Sequence, residues 1–376
     1  MIDVECKTVE KLQLTMPTRE LQAIADKVAK GERLNSEEGL SLLISGEDES
    51  VARLADSVLK RVAGDTVTFA STLYIHPTNL CELSCPMCSY YAKPGSPKAW
   101  FLTPEEVEAK VRAAIPRGLS EIHVVGGLWR DCNLDYYRDI FTRIKAIDPN
   151  LHIKALTPVE YDFLAKLHGI SVEEVLQLMI SWGLGSLPGG GAEILVEEIR
   201  KALAPQKITS DEYLAITRIA HKLGLPSNVT MLFGHVEEPH HIITHLMRVR
   251  DLQDDTGGFL AFVPLRYHRE NNALGKREKR LKASLSVKVI YAVSRLMLDN
   301  FPDLKVLWNY LGVDLALEML RSGGNDLSST NEDEKIIVMA GGIGEKVKMS
   351  AETMRSLIQG IGRTPRLTHS GERKRG

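Results

Sequence analysis

The stretch TLYIHPTNLCELSCPMC, from Thr72 to Cys88, places three cysteines directly after a short apolar run. Cys81, Cys85 and Cys88 have the spacing C-x3-C-x2-C. Three thiolates this close together can hold three irons of a cubane iron–sulfur cluster. Electron-transfer clusters instead use four cysteines, so that every iron has a protein ligand. The fourth iron then has no protein ligand and is a chemical site. The spacing therefore predicts catalysis at the end of this apolar run.

A structural zinc site is the alternative interpretation of these cysteines. It needs a fourth Cys or His at matching spacing, and the nearest histidine, His76, lies inside the strand-like run. Cys6 and Cys132 are isolated in the sequence. The spacing therefore favours the open cluster. Disulfides are not expected, because the cysteines are few and grouped and no secretory signal is present.

Length and composition predict one large enzyme domain with appendages. The chain has 376 residues and is 44% hydrophobic, which is enough to bury a full core. Its 47 basic and 49 acidic residues nearly balance, so the charge gives no indication of nucleic-acid or membrane-surface binding. No apolar run approaches the roughly 18 residues that span a bilayer. We therefore expect a cytoplasmic protein without nucleic-acid or membrane partners.

Short β-type runs alternate with amphipathic helical stretches from Leu73 onward. This repeat is typical of an α/β fold with a parallel sheet and right-handed crossovers. It favours a (βα)8-type, TIM-like barrel over an open Rossmann sheet, because no G-x-G-x-x-G follows the first run. An eighth unit is expected within Asp314–Met339, without a placed strand. The predicted strands are Leu73–His76, Glu121–Val125, His152–Leu156, Gly185–Leu187, Asn228–Phe233, Phe259–Pro264 and Lys305–Trp308.

The regions outside the repeat predict a separate unit at each end of the chain. Residues 1–68 show helical patterning at Pro17–Lys30, after Asn35 and at Ser50–Val62, which predicts an N-terminal helical cap. Residues 69–345 form the predicted barrel. Residues 346–376 are expected to hold a C-terminal helix and a basic, disordered tail, because the chain ends in TPRLTHSGERKRG.

Polar and glycine-rich motifs follow the predicted strands, at the end where a barrel carries its chemistry. Gly126-Gly127 suits a backbone that a ligand approaches closely, although a plain tight turn remains an alternative. Glu160 and Glu193 can bind ribose or amine groups, or they are surface carboxylates. Asn79 precedes the first cysteine of the cluster motif and is expected to support that loop, or only to form a turn. These residues are the candidates for cofactor binding.

Three residues after the fifth and sixth strands are candidates for catalysis. His235 and His268 suit substrate contact or proton transfer, although a solitary histidine is more often structural. Arg266 can pair with a carboxylate in bidentate fashion, or form a salt bridge at the rim.

The cysteine motif resembles that of the radical SAM enzymes, and the chain is similar to their aminofutalosine synthase subfamily over about residues 32–339. The resemblance implies a [4Fe-4S] cluster on the three cysteines, whose open iron binds S-adenosylmethionine (SAM), and a contact between Gly126-Gly127 and the methionine amino group. A reduced cluster then cleaves SAM to methionine and a 5′-deoxyadenosyl radical. The matching stretches include PTNLCELSC, EIHVVGGL, LHIKALTPVE, SLPGGGAEI, TMLFGHVE, LDNFPDLK and EKIIVMAG.

The resemblance also implies a reaction. The 5′-deoxyadenosyl radical adds to the enol ether of 3-[(1-carboxyvinyl)oxy]benzoate, the aryl ether migrates and carbon dioxide is lost, giving 6-amino-6-deoxyfutalosine for menaquinone biosynthesis. The expected partners are this small aromatic dicarboxylate and an electron donor such as flavodoxin or ferredoxin. Arg266, His268, His235 and Asn271 are the candidates for binding its carboxylates.

Two other functions remain open at this point. One is a sister radical SAM reaction, such as that of a dehypoxanthine futalosine cyclase or a deazaflavin-cofactor synthase, which share GHVE, PGGGAEI and the cysteine motif. The other is a non-catalytic cluster or zinc protein. The sequence also departs from the subfamily pattern, with His76 for Asn, Met87 for an aromatic residue, Trp129-Arg130 for His-Pro and Val338 for His. The loss of two histidines bears on the choice of substrate.

Overall fold

The computed structural model describes residues 16–277, 285–343, 349–370 and 372. Short extended segments are spread along this part of the chain, and every ladder between them is parallel. The strands are β1 Thr66–Ala70, β2 Thr72–Ile75, β3 Glu121–Val124, β4 His152–Ala155, β5 Leu184–Ser186, β6 Ser227–Phe233, β7 Phe259–Arg266, β8 Asp303–Leu304, β9 Asp326–Ser329 and β10 Thr364–Thr368.

Helices follow most of the strands, and many begin with a Ser, Thr or Asn cap whose side chain accepts a backbone N–H. Over the described ranges, no helix combines the length and apolar character needed to cross a membrane. The helices are α1 Arg19–Ala29, α2 Ser36–Ile44, α3 Asp48–Ala63, α4 Pro104–Ala114, α5 Leu134–Ile147, α6 Pro158–His168, α7 Val172–Ser181, α8 Glu197–Leu203, α9 Ser210–Lys222, α10 Pro239–Thr256, α11 Ala273–Arg277, α12 Val287–Met297, α13 Trp308–Leu311, α14 Val313–Met319, α15 Ile336–Ala340 and α16 Ala351–Gly360.

Strands β2 to β9 close into the predicted TIM-like barrel. Two runs of paired strands, β2-β3-β4-β5 and β6-β7-β8, supply most of the wall. Isolated bridges complete it, from Leu187 to Ser227 between the two runs and from Lys305 to Asp326 between β8 and β9. The bridge from Leu73 to Glu332 returns the chain to β2. The α/β barrel class expected from the alternating pattern is thus confirmed.

The last third of the barrel differs in detail from the sequence prediction. The strand predicted at Lys305–Trp308 is displaced, because β8 comprises Asp303–Leu304 and Trp308 begins α13. The eighth strand lies within Asp314–Met339, as β9. Its sequence, Asp-Leu-Ser-Ser, has one apolar residue, because several of its neighbours inside the barrel are polar. A search for apolar runs therefore could not place it.

The N-terminal helices pack on the outside of the barrel. Helices α2 and α3 contact α12, and α2 also contacts α10. The contact is close at Gly39, where an added Cβ would lie 2.5 Å from the Met297 sulfur. Strand β1 crosses the predicted domain boundary at residue 68 and pairs with β9, so the sheet is continuous there.

The C-terminal segment is ordered farther than its basic composition predicts. Residues Thr364–Thr368 form β10, which pairs in register with β1 from Thr66 to Ala70. The expected disordered tail is therefore wrong for this stretch, because a buried Arg363 pairs with Asp56 and with Asp65, the latter at 3.0 Å. Its guanidinium anchors the chain at the start of the strand. Residues 373–376 lie outside the described residues.

Buried charges occupy the amino-terminal end of the barrel. Lys154 pairs with Glu121, and Lys305 Nζ lies 2.9 Å from Asp326 Oδ2. Ser370, just after β10, donates its N–H to Glu121 at 2.8 Å and accepts from Lys154 at 2.9 Å. Burial alone would raise the pKa of Glu121, but the two lysines outweigh it and hold that pKa well below its usual range. The C-terminal segment thus seals a charged barrel interior.

We expect Lys154→Met to lower the free energy of unfolding by about 3–5 kcal/mol, because it leaves the Glu121 carboxylate buried without its principal partner. Anaerobic denaturant unfolding measures the loss. The double variant Glu121→Gln, Lys154→Met is the control, and it should be more stable than Lys154→Met alone. Equal instability of the single and double variants would contradict a role for the ion pair.

Candidate active site

The loop after β2 carries the three cysteines, and all of them line a large cavity at the carboxyl end of the barrel. Lys93 holds the start of the motif, because its Nζ donates to the carbonyl oxygens of Cys81, Glu82 and Leu83 at 2.9, 2.9 and 3.1 Å. Asn79 is buried beneath the loop and does not line the cavity. Its side chain donates to the Lys98 carbonyl and accepts the Trp100 N–H, each at 2.9 Å. Asn79 therefore supports the loop, as one of the two interpretations predicts.

The donor set fits an open cluster better than zinc. In the described part of the chain, only Glu198, His240 and His241 bring three potential ligand atoms within 4.8 Å of one another. The cysteine sulfurs are therefore spread more widely than the about 3.8 Å between ligands of a tetrahedral zinc with Zn–S bonds of about 2.3 Å.

His76, the candidate for a fourth ligand, is engaged elsewhere. Its Nδ1 lies 2.9 Å from the Val125 carbonyl and its Nε2 accepts the Lys335 N–H at 3.2 Å. Burial lowers the pKa of His76 to about 4, so the ring is neutral. His76 therefore joins the end of β3 to the segment before α15 and is not part of the cysteine site.

Two of the cysteine thiols have raised pKa values, although only Cys85 is fully buried and Cys88 is partly buried. Burial raises the pKa of Cys85 to about 11, although Lys207 opposes the shift, and burial also raises the pKa of Cys88. Unligated, these thiols are protonated, and a bound metal deprotonates them. Unligated, they are therefore poor nucleophiles.

Gly126 and Gly127 line the cavity and also pack on the cysteine loop. An added Cβ would lie 2.0 Å from the Leu80 carbonyl oxygen at Gly127 and 2.9 Å from the Thr78 carbonyl oxygen at Gly126. The Gly127 N–H donates to that Thr78 oxygen at 2.9 Å. The groups that approach these two glycines closely are therefore backbone carbonyls of the cysteine loop. Their contact with a cofactor stays a prediction.

Glu160 is a buried carboxyl that joins the glycines to α6. It accepts from the Thr157 N–H at 2.7 Å in a capping box and from the Gly126 N–H at 3.2 Å. Burial raises the pKa of Glu160 to about 7, although these N–H groups oppose the shift. The alternative of a surface carboxylate is excluded, and the side chain lines the cavity.

Glu193 is the second buried carboxyl of the cavity, and it pairs with a residue that the sequence analysis missed. The Lys207 Nζ lies 2.6 Å from Glu193 Oε1. Burial would raise the pKa of Glu193, but Lys207 outweighs it and lowers the pKa. Lys207 lies between α8 and α9, away from any strand end, so the search for motifs at strand ends gave no signal for it.

The three catalytic candidates are not brought together. Arg266 and His268 line the cavity. The Arg266 guanidinium makes no hydrogen bond or ion pair with the described residues, so the alternative of a rim salt bridge does not hold there. The His268 Nε2 lies 3.1 Å from the Tyr310 carbonyl oxygen, and burial lowers the pKa of this histidine. Both remain available to a ligand.

His235 and Asn271 do not line the cavity. His235 is buried, with Nε2 2.9 Å from the Leu232 carbonyl and Nδ1 accepting the Val236 N–H at 2.7 Å. Its prediction as a substrate-contacting residue is corrected, because both ring nitrogens hold the turn after β6. Asn271 donates to the Met339 carbonyl at 3.0 Å and bridges two loops.

The departures from the subfamily pattern fall mostly outside the cavity. Met87 lines it, but Trp129 and Val338 do not. The Trp129 Nε1 donates to Asp131 at 3.0 Å within its own loop. Neither of these two side chains is therefore part of the lining.

We expect Gly127→Ala to displace the cysteine loop, because the new Cβ would overlap the Leu80 carbonyl. Iron and sulfide content after anaerobic reconstitution should fall severalfold. Gly360→Ala is the matched control, since nothing lies within 4 Å of a Cβ there. Full iron content in Gly127→Ala would contradict the packing described.

Comparison with known families divides the chain into two matched regions. Residues 75–249 match the radical SAM superfamily model, and residues 256–375 match the model described as the CofH/MqnC C-terminal region. The second region includes β7, β8, β9 and β10. The part of the chain that carries the cysteines and the part that completes the barrel are thus both matched.

Similar proteins extend over nearly the whole chain. An aminodeoxyfutalosine synthase from Streptomyces coelicolor is 36% identical, covering 92% of this chain and 91% of that protein. A 5-amino-6-(D-ribitylamino)uracil–L-tyrosine 4-hydroxyphenyl transferase from Methanospirillum hungatei is 35% identical, with 93% and 97% covered. The crystal structure of methylornithine synthase (PylB) shares the fold, with a TM-score of 0.72 at 18% identity, covering 91% of this chain and 97% of that one.

Superfamily members use a [4Fe-4S] cluster and SAM, and the cysteine spacing here is typical of their motif. The cavity offers three cysteine thiols and buried carboxyl groups beside them. The chain therefore belongs to the radical SAM superfamily, as an enzyme with a CofH/MqnC C-terminal region, a [4Fe-4S] cluster and SAM.

Proposed function

We propose that this enzyme joins the 5′-deoxyadenosyl group of SAM to 3-[(1-carboxyvinyl)oxy]benzoate and forms 6-amino-6-deoxyfutalosine, with loss of the enolpyruvyl carboxyl group as carbon dioxide. The observation that carries the proposal is one cavity that runs from the three cysteines to Arg266, which forms no ion pair with the described residues. The cluster and SAM would supply the adenosyl radical at the cysteine end. The similarity to an aminodeoxyfutalosine synthase supports this choice.

The protein side chains have distinct tasks in this proposal. Arg266 would bind the enolpyruvyl carboxylate, because a free guanidinium at the cavity wall offers paired N–H donors in the geometry of a carboxylate. His268, neutral and half-buried, would orient the same group. A charged substrate held in this way presents its double bond in a fixed orientation, and orientation is a large part of catalysis.

The proposed SAM contacts lie at the other side of the cavity. Gly126-Gly127 would receive the methionine part, and Glu160 and Glu193 would bind amine or ribose groups. Glu160 is suited to accept a hydrogen bond because its oxygens are already oriented by backbone N–H groups. A small reductant such as flavodoxin or ferredoxin would deliver the electron, since Cys81 and Cys88 are only partly buried.

The second candidate is a reaction of the deazaflavin type, in which a tyrosine-derived group is transferred. It is favoured by relatives named as tyrosine 4-hydroxyphenyl transferases, which are 35% identical to this chain. The aminodeoxyfutalosine synthase has nearly the same identity, 36%. Cyclisation of dehypoxanthine futalosine is the further sister reaction. Both sister reactions use the same cluster. They differ from the proposed reaction because the adenosyl group does not stay in their product.

We expect the anaerobically reconstituted, dithionite-reduced enzyme to convert SAM and the enolpyruvyl benzoate to 6-amino-6-deoxyfutalosine and methionine, read by mass spectrometry. Cys85→Ala should abolish the product because it removes a cluster ligand. Cys132→Ala should retain it, because Cys132 is buried outside the cavity lining. Free 5′-deoxyadenosine without the adduct would reject this substrate, and an adduct formed only with tyrosine and ribityl-aminouracil would support the second candidate.

A further inference from the structure

The cavity continues past the cofactor region into the barrel interior. Its lining reaches Glu121, the first residue of β3, while Arg266 is the last residue of β7, at the opposite end of the parallel wall. Three of the side chains that line the lower part carry a basic group: His123, Lys154 and Lys305. We refer to these as the deep donors. The interior of a TIM-like barrel is normally filled by branched apolar side chains, so an open, charged interior points to a ligand.

The lysines of the deep donors have unused hydrogen-bonding capacity. An ammonium group has three N–H donors. Among the described residues, Lys154 donates only to Glu121 and Ser370, so one of its N–H groups is unused. Lys305 donates only to Asp326 in the same part of the chain, so two of its N–H groups are unused. These unused donors are buried in the wall of the cavity.

The neighbouring carboxylates are partly saturated by donors of the protein itself. Glu121 Oε1 already accepts from Lys154 and from Thr72, and its Oε2 accepts the Ser370 N–H. Asp326 Oδ2 accepts from Lys305, and its Oδ1 accepts the Ser328 N–H. The spare capacity at this end of the cavity therefore includes ammonium N–H groups of both lysines, which can bind an anion.

His123 provides an independent indication. Its Nδ1 is buried without a hydrogen-bond partner, and neither ring nitrogen bonds to any other described residue. Its ring packs against Tyr74 at a centroid distance of 4.5 Å, and the side chain lines the cavity. The other ring nitrogen, Nε2, is not enclosed in this way and can bond to a ligand in the cavity.

From this arrangement we infer that the deep donors bind a carboxylate of the substrate at the amino-terminal end of the cavity. The inference rests on the proposed function and assigns the benzoate carboxylate to this subsite, with the enolpyruvyl carboxylate at Arg266. The two lysine charges are balanced by Glu121 and Asp326. Affinity therefore comes from oriented N–H groups rather than from net positive charge.

A flat benzoate suits such a position. Its ring would lie between Arg266 and the deep donors, each of which would hold one carboxylate of the substrate. The length of the molecule would separate the benzoate carboxylate from the reacting double bond. Residues on β3, β4 and the chain after β8 would then select a ring that carries a carboxylate. Compounds without it would bind at Arg266 alone.

The test measures equilibrium dissociation constants for two ligands by dialysis. Oxidised holoenzyme with SAM is used, because no radical forms until the cluster is reduced. The ligands are 3-[(1-carboxyvinyl)oxy]benzoate and 2-phenoxyprop-2-enoate, which lacks the ring carboxylate. We expect the wild type to prefer the benzoate by about tenfold or more, the effect of one hydrogen bond to a charged group.

The variant His123→Phe keeps the ring that packs on Tyr74 and breaks no hydrogen bond to the described residues. It should lose about tenfold of the preference for the benzoate, with unchanged affinity for the phenoxy analogue. His123→Gln, which keeps an N–H donor, should retain the preference. Should His123→Phe fail to fold or to hold iron, His123→Leu gives the same comparison.

Two outcomes would overturn the inference, and they are distinguishable. An unchanged preference in the folded His123→Phe or His123→Leu variant removes the deep subsite but leaves the proposed function intact. Failure of the wild type to bind the benzoate at all, or to form the adenosyl adduct with it after reduction, removes the proposed function and this inference with it.

Discussion

The buried ion pairs inside the barrel are the constraint on which the rest of the structure depends. Two lysines and two carboxylates can be stable in this interior only if each charge is paired and hydrogen-bonded. Their pairing depends on Asp326 of the polar strand β9, which pairs with Lys305. It also depends on Ser370 of the C-terminal segment, whose N–H donates to Glu121. The same polar lining leaves the barrel hollow, so that one cavity reaches from the cysteine loop toward the opposite end of the barrel.

A second constraint is the contact between the glycines after β3 and the cysteine loop. Because Gly127 allows its backbone to approach the Leu80 carbonyl, the loop lies flat against the barrel rim. Glu160 extends this contact by accepting the Gly126 N–H, and it links the rim to α6. The position of the cysteine loop is thus coupled to the residues proposed to bind SAM. This coupling explains how short, polar loops can hold a reactive cofactor in a defined orientation.

The sequence predicted the parts of the molecule that have local signals. The cysteine spacing and the β-then-α repeat were sufficient for the cluster site and the barrel. Strand β9 and the Thr364–Thr368 strand were not recognised, because their stability comes from distant partners rather than from apolar residues. His235 follows a strand as an active-site residue would, yet its ring turns back to the Leu232 carbonyl. His123 and Lys154 lie inside predicted strands, and only the barrel geometry shows that they face a cavity.

In the proposed complex, one cavity holds SAM at the cysteine end and the benzoate carboxylate at the other end. An anaerobic crystal structure of the oxidised holoenzyme with SAM and 3-[(1-carboxyvinyl)oxy]benzoate tests it most directly. We expect the ring carboxylate within hydrogen-bonding distance of His123 and Lys305, and the enolpyruvyl carboxylate at Arg266. A benzoate bound outside the barrel, or bound with its ring carboxylate toward solvent, would contradict it.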